Sequence, residues 1–541
     1  MNTNSAIKLF KTKTAGNCNG GTAQTPVVIS TYPNDAPPAT LNFSDPDKHG
    51  IDISNLGGVV IRNLILVGPG AAISQNNGIS LYTDATTPDK LEYIRVDKCT
   101  ATGFMNGLLM SAVAGSFSGF GDVRITHSSF RGNRMNGLCT KGTWPDKWKT
   151  RNHRDVYVGH CEFSGNRGDS TYTLDQSGDG AVLASVRGGL VEYCHAFDNG
   201  RNNSSAEGNG PAGIWTWESD SVVIQYNISH GNKSGNGSDG GGFAIDGGST
   251  NCVLQYNYSY HNQGAGYAFF QFLLSTSFEG NTIRYNISQN DGRAVGPLNS
   301  GVGGIHVRGE TGYGPGNTVY GNTIYNDLAE AVIFTKVGMK ARFCNNIFVT
   351  GNGKPLIVGL PNPPIRDVQF MNNLYWTQGG PLDVVGYSTL AAWRLDTYQE
   401  RYNGQDKGIF ADPLLRSPGG GDTSLVDPTK LAELTAYKLK DGSPAIDAGI
   451  QIQQEFQLQP GTRDFFGDPI PVGAFDIGAN ESNSTTGLWR AWWRPSSGVP
   501  LGAMRGYTAS GRRESGRESG PVRVRFQPPQ KRPSSSESSF E

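Results

Sequence analysis

The chain is poor in charge and has no long apolar run. Of its 541 residues 17% are charged and the formal net charge is -1, so nothing in this balance would hold nucleic acid or an anionic membrane. No stretch of 18 or more apolar residues occurs, which leaves no candidate for a membrane-spanning helix. The opening MNTNSAIKLFKTKTAG carries lysines without an apolar h-region, so no signal peptide is read in it. Seven cysteines (Cys18, Cys99, Cys139, Cys161, Cys194, Cys252 and Cys344) include no Cys-x-x-Cys pair and no Cys/His spacing suited to zinc. An odd number cannot pair completely within one chain, and they read as small buried hydrophobes. Long amphipathic patterns are also missing, which argues against a string of α/β units and for one elongated repeat domain.

What the chain does have is 74 glycines and a repeat. Aligning Asn63, Cys99, Ser128, Cys161, Cys194, Asn227, Asn257, Asn286, Asn322, Asn346 and Asn373 gives spacings of 36, 29, 33, 33, 33, 30, 29, 36, 24 and 27 residues. An apolar residue stands three before each anchor: Val60, Val96, Ile125, Val158, Val191, Ile224, Leu254, Ile283, Val319, Phe343 and Phe370. Five after the anchor, Asn133, Asn166, Asn199, Asn232 and Asn262 recur. Such periods mark a solenoid. Short alternating β-branched segments such as VRITHSSF and VVIQYNIS make its units strands. Asparagine tolerates left-handed backbone, so equivalent asparagines in successive coils are expected to stack into a ladder. Parallel crossovers are right-handed almost always, and the coil should be too.

The expected fold is therefore all-β, a right-handed parallel β-helix. Residues 1–50 read as an N-terminal irregular coil or cap with one strand at Pro26–Tyr32, and residues 51–380 as the β-helix. Residues 381–486 read as a C-terminal cap with one amphipathic helix starting at an N-cap, Ser388. Its acids Asp447 and Asp476 read as turn and cap residues. From Gly487 to the end ten Arg/Lys stand against four acids amid Pro, Ser and Gly, the composition of a disordered tail.

After each asparagine turn a Gly-led strand follows, and alternation sorts its side chains. Ile79, Leu81, Leu138, Thr140, Ile214, Thr216, Phe243, Ile245, Ile305, Val307, Val332 and Phe334 should point inward. The outward strip is then Ser80, Tyr82, Cys139, Lys141, Trp215, Trp217, Ala244, Asp246, His306, Arg308, Ile333 and Thr335. Two outward tryptophans on one strand form a platform of the kind a sugar ring stacks on; a loop such as 201–211 could instead cover them. Near them are Glu218, Asp220, Asp239 and Asp246. Carboxyls one or two rungs apart bracket the separations that glycosidases use, so Glu218 with Asp246, or Asp239 with Asp246, could act as acid and base or nucleophile. Glu218 needs a turn to escape its inward position. A second chemistry fits the same strip: β-elimination of a uronate, with Asp239 and Asp246 holding calcium and Lys141, His306 or Arg308 as base.

The sequence GIWTWESDSVVIQYN followed by SDGGGFAIDGGSTNCVLQYNYSYHNQGAGY resembles the bacterial right-handed β-helix repeat proteins of the pectin-lyase-like superfamily, over roughly residues 50 to 380. The resemblance implies the fold and carbohydrate chemistry, with GSPAIDAG and DFFGDPIPVGAFDIGANE resembling the closing segment of such proteins. The polygalacturonases' Asp-Asp, Gly-His-Gly and Arg-Ile-Lys elements and the mannuronan epimerases' Asp-Pro-His-Glu do not occur. Related repeat proteins often read Gly-Phe-Asp-x-Asp where this chain has Ala244 as the third residue. The expected function is cleavage of an extracellular or cell-surface polysaccharide, with Asp246, Asp239, Glu218 and Lys141 catalytic and Trp215, Trp217, His306 and Arg308 binding substrate. The alternative is a non-catalytic glycan-binding or surface structural protein.

Overall fold

The computed structural model of the chain describes residues 2–3, 7–10 and 21–483, apart from the short segments 34–35, 87–88, 114–117, 145–149, 206–208, 294–302, 310–313, 337, 339, 361–366 and 454–458. Cys18 and the segment from Gly487 onward, read as a disordered tail, lie outside the described residues.

Nearly every strand pairs in parallel with the strand one coil away. Twelve strands, from Ile7–Phe10 through Ala212–Trp217 and Gly241–Ile245 to Ile357–Val358, stack into one sheet. Twenty-four more form the two remaining ladders of the coil, joined through the long strands Val59–Val67 and Leu91–Thr102. This is the right-handed parallel β-helix. The residue column three before the anchors is a register column: Val96, Ile125, Val158, Val191, Ile224, Leu254, Ile283, Val319, Phe343 and Phe370 are successive partners. All ten are buried, because a coil hides its inner side chains only against its own faces and its neighbours.

The first coil departs from that reading by one residue. Val96 pairs with Ile61, and Cys99 with Leu64, where Val60 and Asn63 were expected. A slip of one residue exchanges the faces of a strand, so Ile61 is buried and Val60 half-buried. The ladder of this sheet also begins earlier than residue 51, since Val27–Ser30 pairs with Val59–Arg62.

Asparagine ladders run along two corners. At the anchor corner the amide oxygen of Asn257 accepts the backbone N–H and side-chain N–H of Asn227, both at 3.0 Å. The pattern repeats through Asn286, Asn322, Asn346 and Asn373 and ends on Glu400. The second ladder runs Asn133, Asn166, Asn199, Asn232 and Asn262 and ends on Asp291. Each buried amide thereby satisfies a backbone group that the turn leaves open.

The helix Leu390–Thr397 starts one residue later than expected: Thr389, not Ser388, is the N-cap, its hydroxyl accepting from the N–H of Ala392. It buries Leu390 and Trp393, and Trp393 packs on Phe370 and Tyr375 of the coils. Farther on, Leu431, Tyr437, Phe465 and Ile477 form a second core with Ile228, Tyr258 and Ile347 of the coils. Asp476 accepts from the N–H of Asp447, 29 residues away, which ties two segments of this region together. The six described cysteines are buried and unpaired. Among the described residues no helix is long and apolar enough to cross a membrane.

Candidate functional site

The strand alternation is as read. Ile214, Thr216, Phe243, Ile245, Ile305 and Val307 point into the coil and are at most 1% exposed. The outward residues form two register columns on the twelve-stranded sheet. In one, Cys139, Val182, Trp215, Ala244, Ala268 and His306 follow one another. In the other, Trp217, Asp246, Phe270 and Arg308 do, by extension of the same register. Beside the large Trp215, the small Ala244 and Ala268 leave a depression, continued by Ala212, Gly241 and Ala265. The size difference between neighbouring rungs makes the floor of a cavity of about 790 Å³.

Its walls come from chain that leaves the coil. Leu174–Gln176, Asn209 and Gly210, Trp144, and Phe272–Leu274 rise around the floor. Trp217 lies between Trp144 and Phe272, tilted against both with ring centroids 6.3 and 6.4 Å away. The expected aromatic strip is thus a pocket. Trp215 is only 6% exposed, so of the two tryptophans Trp217 is the one with an accessible face.

Asp239 and Asp246 both line this cavity, together with Trp215, Trp217 and Arg308. Asp239 sits in the turn before Gly241–Ile245 with φ 58°, a left-handed conformation that Asp tolerates. Its carbonyl accepts the Ser234 hydroxyl and its carboxylate the N–H of Gly210, which fixes the turn. Asp246 follows the same strand; its Oδ1 accepts the N–H of Gly247 at 2.6 Å. Both side chains keep part of their surface open. Burial pushes the Asp239 carboxyl up to about 6, against the opposing charge of Arg308. Burial pushes Asp246 up to about 7, and the charge of Asp239 adds to the rise while the Gly247 N–H and Arg308 oppose it. Two carboxyls that hold protons near neutrality at an open cavity have the protonation range that acid–base chemistry needs.

Of the remaining expected site residues, Glu218, Lys141 and His306 do not line the cavity. Glu218 does take a turn, at φ 45°, but the turn buries it: Arg151, itself buried, donates to its Oε2 at 2.7 Å and to the carbonyl of Gly248. The backbone N–H and hydroxyl of Thr276 complete its shell. Glu218 is a structural anion beneath the site, and it does not line the cavity. Lys141 is exposed at the end of its strand and does not line it either. His306 is buried, its Nε2 2.7 Å from the Thr335 hydroxyl and its ring edge-on to Phe270. It supports a wall, and burial first, then Arg308, lowers its pKa to about 3. Arg308, two rungs beyond Asp246, also lines the cavity, because two rungs are a short step across a sheet. As for calcium, Asp239 and Asp246 gain no third His, Cys, Asp or Glu ligand among the described residues.

The lining residues Trp144, Asp175 and Lys336 escaped the sequence reading, and so did one buried residue that supports the floor. Asp179, buried at the start of Asp179–Ala184, accepts from Trp215 Nε1 at 2.8 Å and from the N–H of Ala212 at 3.0 Å on the same oxygen. It shares a register column with Asn136, and Asn136 in turn bonds Asn106 and Asn106 bonds Asn77. That alignment was the available signal. Burial raises its carboxyl to about 7.

No family model matches the chain. A lacto-N-biosidase of Bifidobacterium longum subsp. longum is 29% identical over 285 residues, 50% of this chain and 15% of that protein. The chain therefore spans well under a fifth of the length of that curated relative. Among solved structures, the GH136 lacto-N-biosidase from Eubacterium ramulus is similar with a TM-score of 0.37 and 15% identity, over 54% of this chain and 51% of that one. The pectate lyase Pel9A is similar with a TM-score of 0.33 and 13% identity, over 88% of this chain and 87% of its own.

Proposed function

We propose that the chain is a glycoside hydrolase that cleaves an extracellular or cell-surface glycan in the cavity over Trp215 and Trp217, with Asp239 and Asp246 as its carboxyl pair. The observation that carries this reading is that the two acids line one cavity with the accessible ring of Trp217. In the glycosidase scheme one carboxyl, protonated, gives its proton to the glycosidic oxygen as the bond to the anomeric carbon breaks. The other, ionised, attacks that carbon or activates the water that does. The raised carboxyls, with the charge of Asp239 adding to the rise at Asp246, supply one proton and one charge in the pH range 6 to 7. Arg308 offsets the negative charge of the pair, and Trp217 offers the apolar face for a sugar. The relative named lacto-N-biosidase supports this class and makes that activity the first to assay.

The test is incubation of the chain with p-nitrophenyl β-lacto-N-bioside and with a panel of neutral and uronic-acid polysaccharides, reading released nitrophenol, reducing ends and ultraviolet absorbance together. Reducing ends without absorbance are expected. Arg308 and Lys336 on the same wall favour uronate elimination as the second reading, and absorbing, unsaturated products would select it. Retention of a glycan without cleavage would select a binding scaffold.

A further inference from the structure

A second groove, of about 690 Å³, lies on the coils that precede the catalytic cavity. Three arginines line it: Arg131 at the end of Ser129–Arg131, and Arg134 and Arg167, which follow the ladder asparagines Asn133 and Asn166. The repeat itself stacks the last two, because the N–H of Gly168 bonds the carbonyl of Arg134 across the coils. Arg131 and Arg167 are exposed, and among the described residues neither pairs with a carboxylate. Arg134 is half-buried. It lies 3.6 Å from Asp169 and donates to Gln75, and its Nε is buried with no partner. The Asp169 carboxylate, which also accepts from the hydroxyl and N–H of Thr171, sets one negative charge against three guanidinium groups.

We infer that this groove is an accessory subsite for an anionic sugar, one that carries carboxylate or sulfate groups. Guanidinium groups meet such anions in paired, charge-assisted hydrogen bonds. Ala71 and Ala72 supply small apolar surface, and Thr171 and Asn202 polar groups for hydroxyls, over a volume that suits a few sugar rings. The excursion 165–178 joins the two sites: residues 167–171 line the arginine groove and residues 174–176 wall the catalytic cavity. The inference stands on the arginine cluster and is independent of the hydrolase reading.

The test is calorimetric titration of the full chain with a heparin-derived hexasaccharide, hexagalacturonate and neutral maltohexaose, at low and high salt. The two anionic probes are expected to bind, more weakly as salt screens the contacts, and maltohexaose not to bind in this groove. The double variant Arg131→Ala/Arg167→Ala removes two exposed side chains and should leave the melting temperature unchanged while it weakens anionic binding at least about tenfold. Trp217→Ala then separates two sources of the ligand. Unchanged anionic binding means a separate anionic glycan, and a matching loss means one chain that occupies both sites. Equal binding of the neutral and anionic probes, or wild-type binding by the double variant, would overturn the inference.

Discussion

Trp215 Nε1 and the backbone N–H of Ala212 converge on one oxygen of the buried Asp179. This contact sets the ring that floors the cavity, and it does so with a carboxyl that burial holds at about 7. Asp246, Glu400 and Asp476 are likewise raised to about 7 and Glu481 to about 8, burial being the largest cause in each.

These carboxyls make stability depend on pH in a defined direction. A raised folded pKa means that unfolding releases a proton, so the stabilisation is full below the unfolded value near 4 and is lost as pH rises through the folded value. The buried His153 and His306 and the half-buried His195 and His230, lowered to between about 3 and about 4, act oppositely, but only below their unfolded value of 6.5. Above it the carboxyls act alone, and the melting temperature should fall between about pH 6.5 and 8. Asp179→Asn keeps the acceptor oxygen and should flatten part of that fall in thermal melts.

Arg151 and Glu218 form a pair with almost no exposed surface. Arg151→Ala strands the carboxylate at the end of the strand Ala212–Trp217 and should cost about 3–5 kcal/mol. Denaturant titration of Arg151→Ala beside Glu218→Gln checks this, and the second should cost a comparable amount because it leaves the buried Arg151 guanidinium without a counter-charge.

The ladder makes a similar demand. Asn257→Ala removes the acceptor of two N–H bonds from Asn227 and the donor to Ile224 and Asn286. Each buried group left open costs about 1–3 kcal/mol, so a large drop in the unfolding midpoint is expected, with no change in site chemistry in the protein that remains folded.

Trp217 is the accessible member of the tryptophan pair, and Trp217→Ala should weaken substrate binding by about 0.5–1.5 kcal/mol, read as KM rising far more than kcat falls. Steady-state kinetics with the substrate identified by the product assay measures that split.

Much of this was legible from residues alone because a solenoid writes its register into the chain. The apolar column from Val96 to Phe370, the asparagine ladder and the outward column of Trp217, Asp246 and Arg308 all follow from period and alternation. What stayed hidden depends on chain that leaves the period. The walls at Leu174, Trp144 and Leu274 are irregular excursions, and they turn an open strip into a pocket. Glu218 looked catalytic because its partner, Arg151, lies 67 residues away and two coils back. The first coil slipped by one because Val60 and Ile61 are both apolar and offer no contrast between faces.

The most direct test of the account is the activity of Asp239→Asn and Asp246→Asn beside the wild type, on the substrate found by the product assay, with melting temperatures measured in parallel. The account predicts that each variant melts as high as the wild type or higher, because a neutral amide relieves the burial cost, and loses at least about a thousandfold in kcat. Azide should restore the variant that has lost its ionised carboxylate, which assigns the two roles within the pair. Wild-type turnover by either folded variant would contradict the assignment of the catalytic pair.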